Sequence, residues 1–190
     1  LGSGQVTAGK KGLEAAARDA RYAFLKRLPG KIATAHTAND NAETVLMHMV
    51  RGTGLKGLGA IAPMHEQLIR PMLSVTRQDV LAFLTEEHIS YMEDSSNSSD
   101  EFLRNRLRHN VMPILEQENP KLAENMSAMA LRLREDEEAL SRNAQWQDQS
   151  IAELREMDPS CRNRVLASFL IQCGVKEPEA EHIALAEKLV

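Results

Sequence analysis

The residues best suited to chemistry form one short run, His36-Thr37-Ala38-Asn39-Asp40-Asn41-Ala42-Glu43-Thr44, in which an imidazole precedes two carboxylates three positions apart. On a helix that interval places Asp40 and Glu43 on the same side of the first turn. Paired carboxylates there can hold Mg²⁺, or can position a substrate ammonium and deprotonate it before it attacks. The same acids can also do no more than complement a helix dipole, and His36 can be a structural histidine.

A second candidate is Arg104-Asn105-Arg106-Leu107-Arg108-His109-Asn110, the densest basic segment. In a helix Arg104 and Arg108 share a face while Arg106 points elsewhere, an arrangement that suits phosphates as well as a solvated surface. RNA is the natural phosphate-bearing partner, although the aromatic residues that usually stack on bases are not interleaved with these arginines. The run Gly52-Thr53-Gly54-Leu55-Lys56-Gly57 has the spacing G-x-G-x-x-G, but a helix precedes it where a dinucleotide site requires a strand. Two readings stay open: a helix C-cap and turn, or a loop whose amides approach a phosphate beside Arg51.

These residues need elements to hold them. Apolar positions Leu13, Ala16, Ala17, Ala20, Phe24 and Leu28 predict a helix ending before Pro29-Gly30. Lys31–His36 reads as a short strand with His36 at its carboxyl end, and Asn39 or Asp40 is expected to cap the next helix, buried through Ala42, Val45, Leu46, Met49 and Val50. Further strands are expected at Gln67–Ile69 and near Ile89–Tyr91. Thr76 is expected to cap a helix over Arg77–Glu87, and a polar loop from Glu93 to Asp100 leads to a helix from about Phe102 to Val111. Beyond Asn119-Pro120 a long helix and two shorter ones are predicted. Helix, strand, helix in succession indicates an α/β sheet whose ligands gather beyond the carboxyl ends of its strands. Too few strands are visible for a complete doubly wound sheet, so the chain reads as a fragment.

Composition restricts the class. The 190 residues are 43% hydrophobic with a net charge of −4, which suits a globular protein rather than a disordered one. No long apolar run marks a membrane span or secretory signal, so a cytoplasmic protein is expected. Cys161 and Cys173 belong to no CxxC, which argues against a disulfide framework or a cysteine-based metal site. Charge is uneven: residues 1–115 carry 14 basic and 12 acidic side chains, net +2, whereas residues 116–190 carry 9 and 15, net −6. An anionic partner would meet the first part.

Ala16-Ala17-Arg18-Asp19-Ala20-Arg21-Tyr22, the run from His36 to Leu46 and Arg51 through Leu58 together resemble the N-type ATP pyrophosphatases (PP-loop superfamily) that modify tRNA. Ile69-Arg70-Pro71-Met72-Leu73, Glu93-Asp94-Ser95-Ser96-Asn97 and Phe102 through Arg108 with Pro113 and Leu115 are similar to the tRNA(Ile)-lysidine synthase family within them. The ordered set covers about residues 12 to 120. Sulfur-transferring relatives often use CxxC chemistry, which this chain lacks.

The resemblance implies a partial doubly wound parallel sheet of the adenine nucleotide alpha hydrolase type, followed by a small all-α domain. It implies ATP-dependent ligation of free lysine to the wobble cytidine of tRNA(Ile) with a CAU anticodon, through an adenylated cytidine, with ATP and Mg²⁺ as cofactors. By the same resemblance Asp40, Glu43, His36 and Arg104 are catalytic and Asp40 is a Mg²⁺ ligand. Arg51, Gly52 and Gly54 flank the nucleotide, and Arg70, Asn97, Asn105, Arg106 and Arg108 hold tRNA. The expected organisation is a tail over residues 1–10, the later part of the catalytic domain over 11–119 and a helical substrate domain over 120–190. A homodimer is left open, as are a non-catalytic helical module that binds RNA or protein and a tRNA-thiolating relative. Two departures stand out. Where the family usually has consecutive aspartates the chain has Asn39-Asp40, and the Ser-Gly-Gly-x-Asp-Ser loop that grips the pyrophosphate of ATP occurs nowhere in the 190 residues. The isolated chain is therefore expected to be inactive.

Overall fold

The computed structural model of the protein describes residues 13–92, 100 and 102–190. The expected tail over residues 1–10, Asn97 and most of the polar loop lie outside the described residues. The chain divides into two compact units, Leu1–Met47 with Ile61–Ala128, and His48–Ala60 with Met129–Val190.

The first unit holds a small sheet. Strand β1 (Ile32–Ala33) pairs in parallel with β3 (Leu68–Ile69), which pairs antiparallel with β2 (Met64–His65), giving the order β1-β3-β2. Backbone bonds from Ile32 to the Gln67 carbonyl and from Thr34 to the Ile69 carbonyl extend the parallel pairing. β3 matches the strand expected at Gln67–Ile69, while β2 has no alternating pattern to announce it and both its residues are exposed. No strand forms near Ile89–Tyr91. His88 there has φ +55, and Ile89 and Tyr91 are about half exposed, so that segment has no sheet to join.

Helix α1 (Leu13–Leu25) precedes the sheet and α2 (Ala38–Val50) leaves the carboxyl end of β1. Helix α4 (Arg77–Glu86) starts as predicted at Thr76. The Thr76 hydroxyl accepts from the Asp79 amide, and the Asp79 carboxylate accepts from the Thr76 amide. Donation to Asp79 Oδ2 from the Thr76 hydroxyl at 2.6 Å and the Thr76 amide at 2.9 Å holds the Asp79 carboxyl below its ordinary range. Helix α5 (Leu103–Arg106) widens into a π turn, Leu107–Val111, and continues as α6 (Met112–Glu118). The helix expected over Phe102 to Val111 is followed without a break by α6, which contains Pro113. Pro113 is accommodated in the first turn of α6, where its missing N–H leaves no intrahelical bond unmade.

The core of this unit joins Ala38 and Ala42 of α2 to Met112, Ala123, Leu122 and Met126. Beside it Asn41, fully buried, donates to Ser127 Oγ at 2.9 Å and accepts from the Ile61 amide at 2.9 Å. Ser127 in turn donates to the Leu73 carbonyl at 2.7 Å. Each member of that buried polar chain has a partner, which is the condition for such groups to stabilise a core.

The second unit contains the turn after α2, the short α3 (Leu55–Leu58), most of α7 (Leu122–Asn143), α8 (Ile151–Glu156), α9 (Pro159–Gln172) and α10 (Ala180–Glu187). Ala144, Leu154, Val165 and Leu166 are its core, with Trp146, Met157, Ile183 and Ala186 packed against them. Trp146 lies over Phe169 with ring centroids 4.7 Å apart. Three helices follow the long one, because Ser150 and Glu153 form a capping box that starts the six-residue α8. Among the described residues no helix is long and apolar enough to cross a membrane.

Candidate active site

Neither Asn39 nor Asp40 caps α2. Thr37 does so: its hydroxyl accepts from the Asp40 amide at 3.4 Å, while Asp40 Oδ2 accepts from the Thr37 amide and hydroxyl, each at 2.9 Å. Asp40 is thus the third residue of a capping box, and Asn39 accepts from the Arg77 amide at 2.8 Å to tie the starts of α2 and α4 together.

One turn further along, Glu43 is only 2% exposed. An isolated carboxylate at that depth would be strongly destabilising, and the basic segment supplies its partner. Arg108 Nε donates to Oε1 at 2.6 Å and Nη2 to Oε2 at 2.9 Å, a two-pronged pair. The same Nη2 lies 3.6 Å from Asp40 Oδ1. The bond to Glu43, opposed by burial and aided by the charges of Glu43 and Asp40, raises the Arg108 pKa further above its already high value. Arg104 Nε lies 3.5 Å from Glu43 Oε2, and its Nη2 donates to Thr44 Oγ1 at 2.8 Å, whose hydroxyl donates to the Asp40 carbonyl. The expectation that Arg104 and Arg108 share a face is met, and that face meets the acids of α2.

The opposite side of the segment has another task. Arg106 is exposed and donates to the Asp100 carbonyl at 3.1 Å, His109 Nδ1 lies 2.7 Å from Asp100 Oδ1, and Asn110 donates to Oδ2 at 3.3 Å. Hydrogen bonds from His109 and Asn110 hold the Asp100 carboxyl below its ordinary range. Asn105 is buried, 8% exposed, which removes it from any RNA-facing surface as placed.

Asp40, Glu43 and Arg108 line a cavity of about 170 Å³ with Thr37, Arg77 and Glu116, and Met112 forms an apolar wall. This is small beside the roughly 300–1,000 Å³ usual for drug-sized ligands, so it suits one small metabolite rather than a nucleotide. Thr37 had a readable signal, Thr-x-x-Asp at a helix start. Glu116 falls at steps of four from Arg108 and Met112, but Arg77 had no pattern to single it out.

The described residues form no closed, all-protein cage for Mg²⁺. Among the described residues no group of three or more His, Cys, Asp or Glu is placed to hold a metal. Asp40 Oδ2 is occupied by Thr37 and both Glu43 oxygens by Arg108. Mg²⁺ usually keeps several waters and takes one or two carboxylates plus substrate phosphates, so Asp40 Oδ1 would be the protein's ligand to it.

The remaining candidates do not line this cavity. His36 follows β1, with Nδ1 2.9 Å from Thr34 Oγ1, and does not line it. Arg70, after β3, donates from Nη1 to the Ala62 carbonyl at 2.7 Å and so braces its own hairpin. Arg51, Gly52 and Gly54 belong to the second unit. There Gly52 has φ +72, its amide bonds the Met49 carbonyl, and the Thr53 amide bonds the His48 carbonyl. That is a Schellman end to α2, the turn reading of the glycine run.

The PP-loop domain matches residues 2–115. A tRNA(Ile)-lysidine synthase of Parabacteroides distasonis is 44% identical over 126 residues, 64% of this chain and 29% of that protein. The Parasynechococcus marenigrum synthase is 35% identical over 206 residues, 97% of this chain and 60% of that protein, and the Bacillus subtilis one 38% identical over 142 residues, 69% and 30%. The chain thus spans less than two thirds of the length of each of these relatives. With the family's match covering more than half of its residues, the chain belongs to the PP-loop domain family.

Proposed function

We propose that this chain is part of a tRNA(Ile)-lysidine synthase, and that the cavity beside Asp40 receives free lysine. In this reading the ring carbonyl oxygen at C2 of the wobble cytidine attacks the α-phosphate of ATP, pyrophosphate leaves, and C2 carries an adenylate. The lysine ε-amine, having lost a proton, then attacks C2, and AMP departs with the oxygen. What supports it is the joining of Asp40 and Glu43 to Arg104 and Arg108 in one place, together with the similarity to named synthases.

Asp40 keeps one oxygen, Oδ1, free of Thr37, and that oxygen holds and orients the incoming ammonium. Glu43 acts through the arginines: with both its oxygens bound by Arg108 it fixes the two guanidiniums from beneath. Arg104 then stabilises negative charge on the adenylate. Arg106, exposed, contacts the tRNA. ATP is bound through the Ser-Gly-Gly-x-Asp-Ser loop found in family members, beside Arg51, Gly52 and Gly54, and the reaction takes place in the cytoplasm.

The test is lysidine formation from ATP, lysine and tRNA(Ile) transcript. A complete synthase carrying this segment is expected to form it, whereas the 190 residues alone are not, because they contain no such loop. Lysidine made by the 190 residues alone, or none made by the complete enzyme, overturns the corresponding half of the proposal.

A further inference from the structure

The cavity's charges have a pattern beyond the Asp40–Glu43 pair. Of its ionisable lining, Glu43 and Arg108 are held to each other by two hydrogen bonds, with Arg108 Nη2 also 3.6 Å from Asp40 Oδ1. That leaves Asp40, Glu116 and Arg77, two anions and one cation. Among the described residues neither the Arg77 guanidinium nor the Glu116 carboxylate has a hydrogen-bond or ion-pair partner. The backbone of Arg77 is fixed by its bond to Asn39, so the root of the side chain is held at the cavity edge while its charged end stays available. Met112, 3% exposed, supplies the apolar surface between the charged groups.

Free lysine is the complement of this lining: two ammonium groups, one carboxylate and an aliphatic stem. Resting on the reading that the cavity receives lysine, we propose that Arg77 and Glu116 determine specificity by binding its α-carboxylate and α-ammonium, which leaves the ε-ammonium to Asp40. The charges of the lining favour a diamino acid over a simple amine, since a diamine leaves the Arg77 charge unanswered and an ω-amino acid leaves Glu116 unanswered. A charged group left without its partner in a confined site weakens binding more than the lost contact alone. The cavity volume, about 170 Å³, also confines the ligand to roughly one amino acid.

Calorimetric titration of the chain with lysine, cadaverine (lysine without its carboxylate) and 6-aminohexanoate (lysine without its α-amine) tests this. The unaltered chain is expected to prefer lysine over both by about tenfold or more. Arg77→Ala is expected to weaken lysine and 6-aminohexanoate by about tenfold and leave cadaverine unchanged, with partial recovery in Arg77→Lys. Glu116→Gln is expected to weaken lysine and cadaverine but not 6-aminohexanoate. Far-UV circular dichroism of each variant separates misfolding from lost contacts. If lysine binds but either substitution weakens all three ligands equally or none, the specificity roles are overturned while the lysine site stands. If no ligand binds, both fall.

Discussion

Arg108 holds both carboxylate oxygens of Glu43, at 2.6 and 2.9 Å, across 65 residues of sequence. Glu43 sits one turn into α2, and Arg108 sits in the π turn that follows α5. The pair therefore fixes the basic segment against the helix that carries Asp40. A π turn places one more residue in its ring than an α turn, and such insertions often mark functional sites. Here Arg104 and Arg108, on either side of its start, both approach one carboxylate.

Removing one partner of this pair is expected to cost about 3–5 kcal/mol, because a charge is left in a site with little water. Glu43→Gln and Arg108→Met should each show that loss in urea denaturation. The double variant Glu43→Leu with Arg108→Met should cost less than either alone. If each single substitution costs under about 1 kcal/mol, the pair is not holding the two segments together.

Asp40 predicts a different separation. Asparagine keeps an oxygen that can accept from the Thr37 amide and hydroxyl, so the start of α2 is expected to survive Asp40→Asn with about 1 kcal/mol lost or less. The negative charge facing the cavity is removed all the same. In a complete synthase, lysidine formation is expected to fall by about 10²-fold or more while tRNA binding in a filter assay stays within about twofold. Equal losses in both would assign Asp40 a structural role.

Much of this arrangement was legible before any coordinates. Thr76 begins α4, the interval from Asp40 to Glu43 does put both acids on one side, and Arg104 and Arg108 do share a face. What the spacing could not reveal was which groups those faces meet. A basic run on a helix looks the same whether it awaits phosphate or neutralises a buried glutamate, because the partner lies some 60 residues away in sequence. The helix expected to reach Val111 does not stop there, because Pro113 permits a helix's first turn and the π turn before it lets a new start follow without a break. Two-residue strands such as Met64–His65 carry no periodicity at all, since their existence depends on pairing with β3.

In the second unit, Arg164 binds Glu137 with Nη2 2.6 Å from Oε2, and both side chains are mostly buried. Burial pushes the Glu137 carboxyl up, but hydrogen bonds from Arg164 and Ser141 and the charges of Arg164 and Lys56 outweigh it and leave the pKa below the ordinary 4.5. A depressed carboxylate pKa stabilises the fold above the unfolded value, and that stabilisation is lost as pH falls through the folded one. Glu137→Gln is therefore expected to cost about 1–3 kcal/mol at pH 7. The gap between the two proteins should persist down to about pH 4.5 and close below it. A gap that does not change with pH would mean that the carboxylate charge contributes nothing.

The glycine run makes a last prediction, because Gly57 is small for a reason internal to the chain. A Cβ at Gly57 would stand 2.7 Å from Thr53 Cβ, closer than side chains approach one another. The Gly57 carbonyl is meanwhile held by His48 Nδ1, which donates to it at 2.6 Å, so the α3 turn is not free to move away. Gly57→Ala is expected to destabilise the second unit by about 1–3 kcal/mol, the usual range for overpacking. Thr53→Gly removes the obstructing atoms at a separate backbone cost of about 0.5–1 kcal/mol. A double-mutant cycle in thermal or urea unfolding should therefore recover about 1 kcal/mol or more of the Gly57→Ala loss. If Gly57 instead serves only to let a phosphate approach the backbone, Gly57→Ala will leave stability unchanged and Thr53→Gly will rescue nothing.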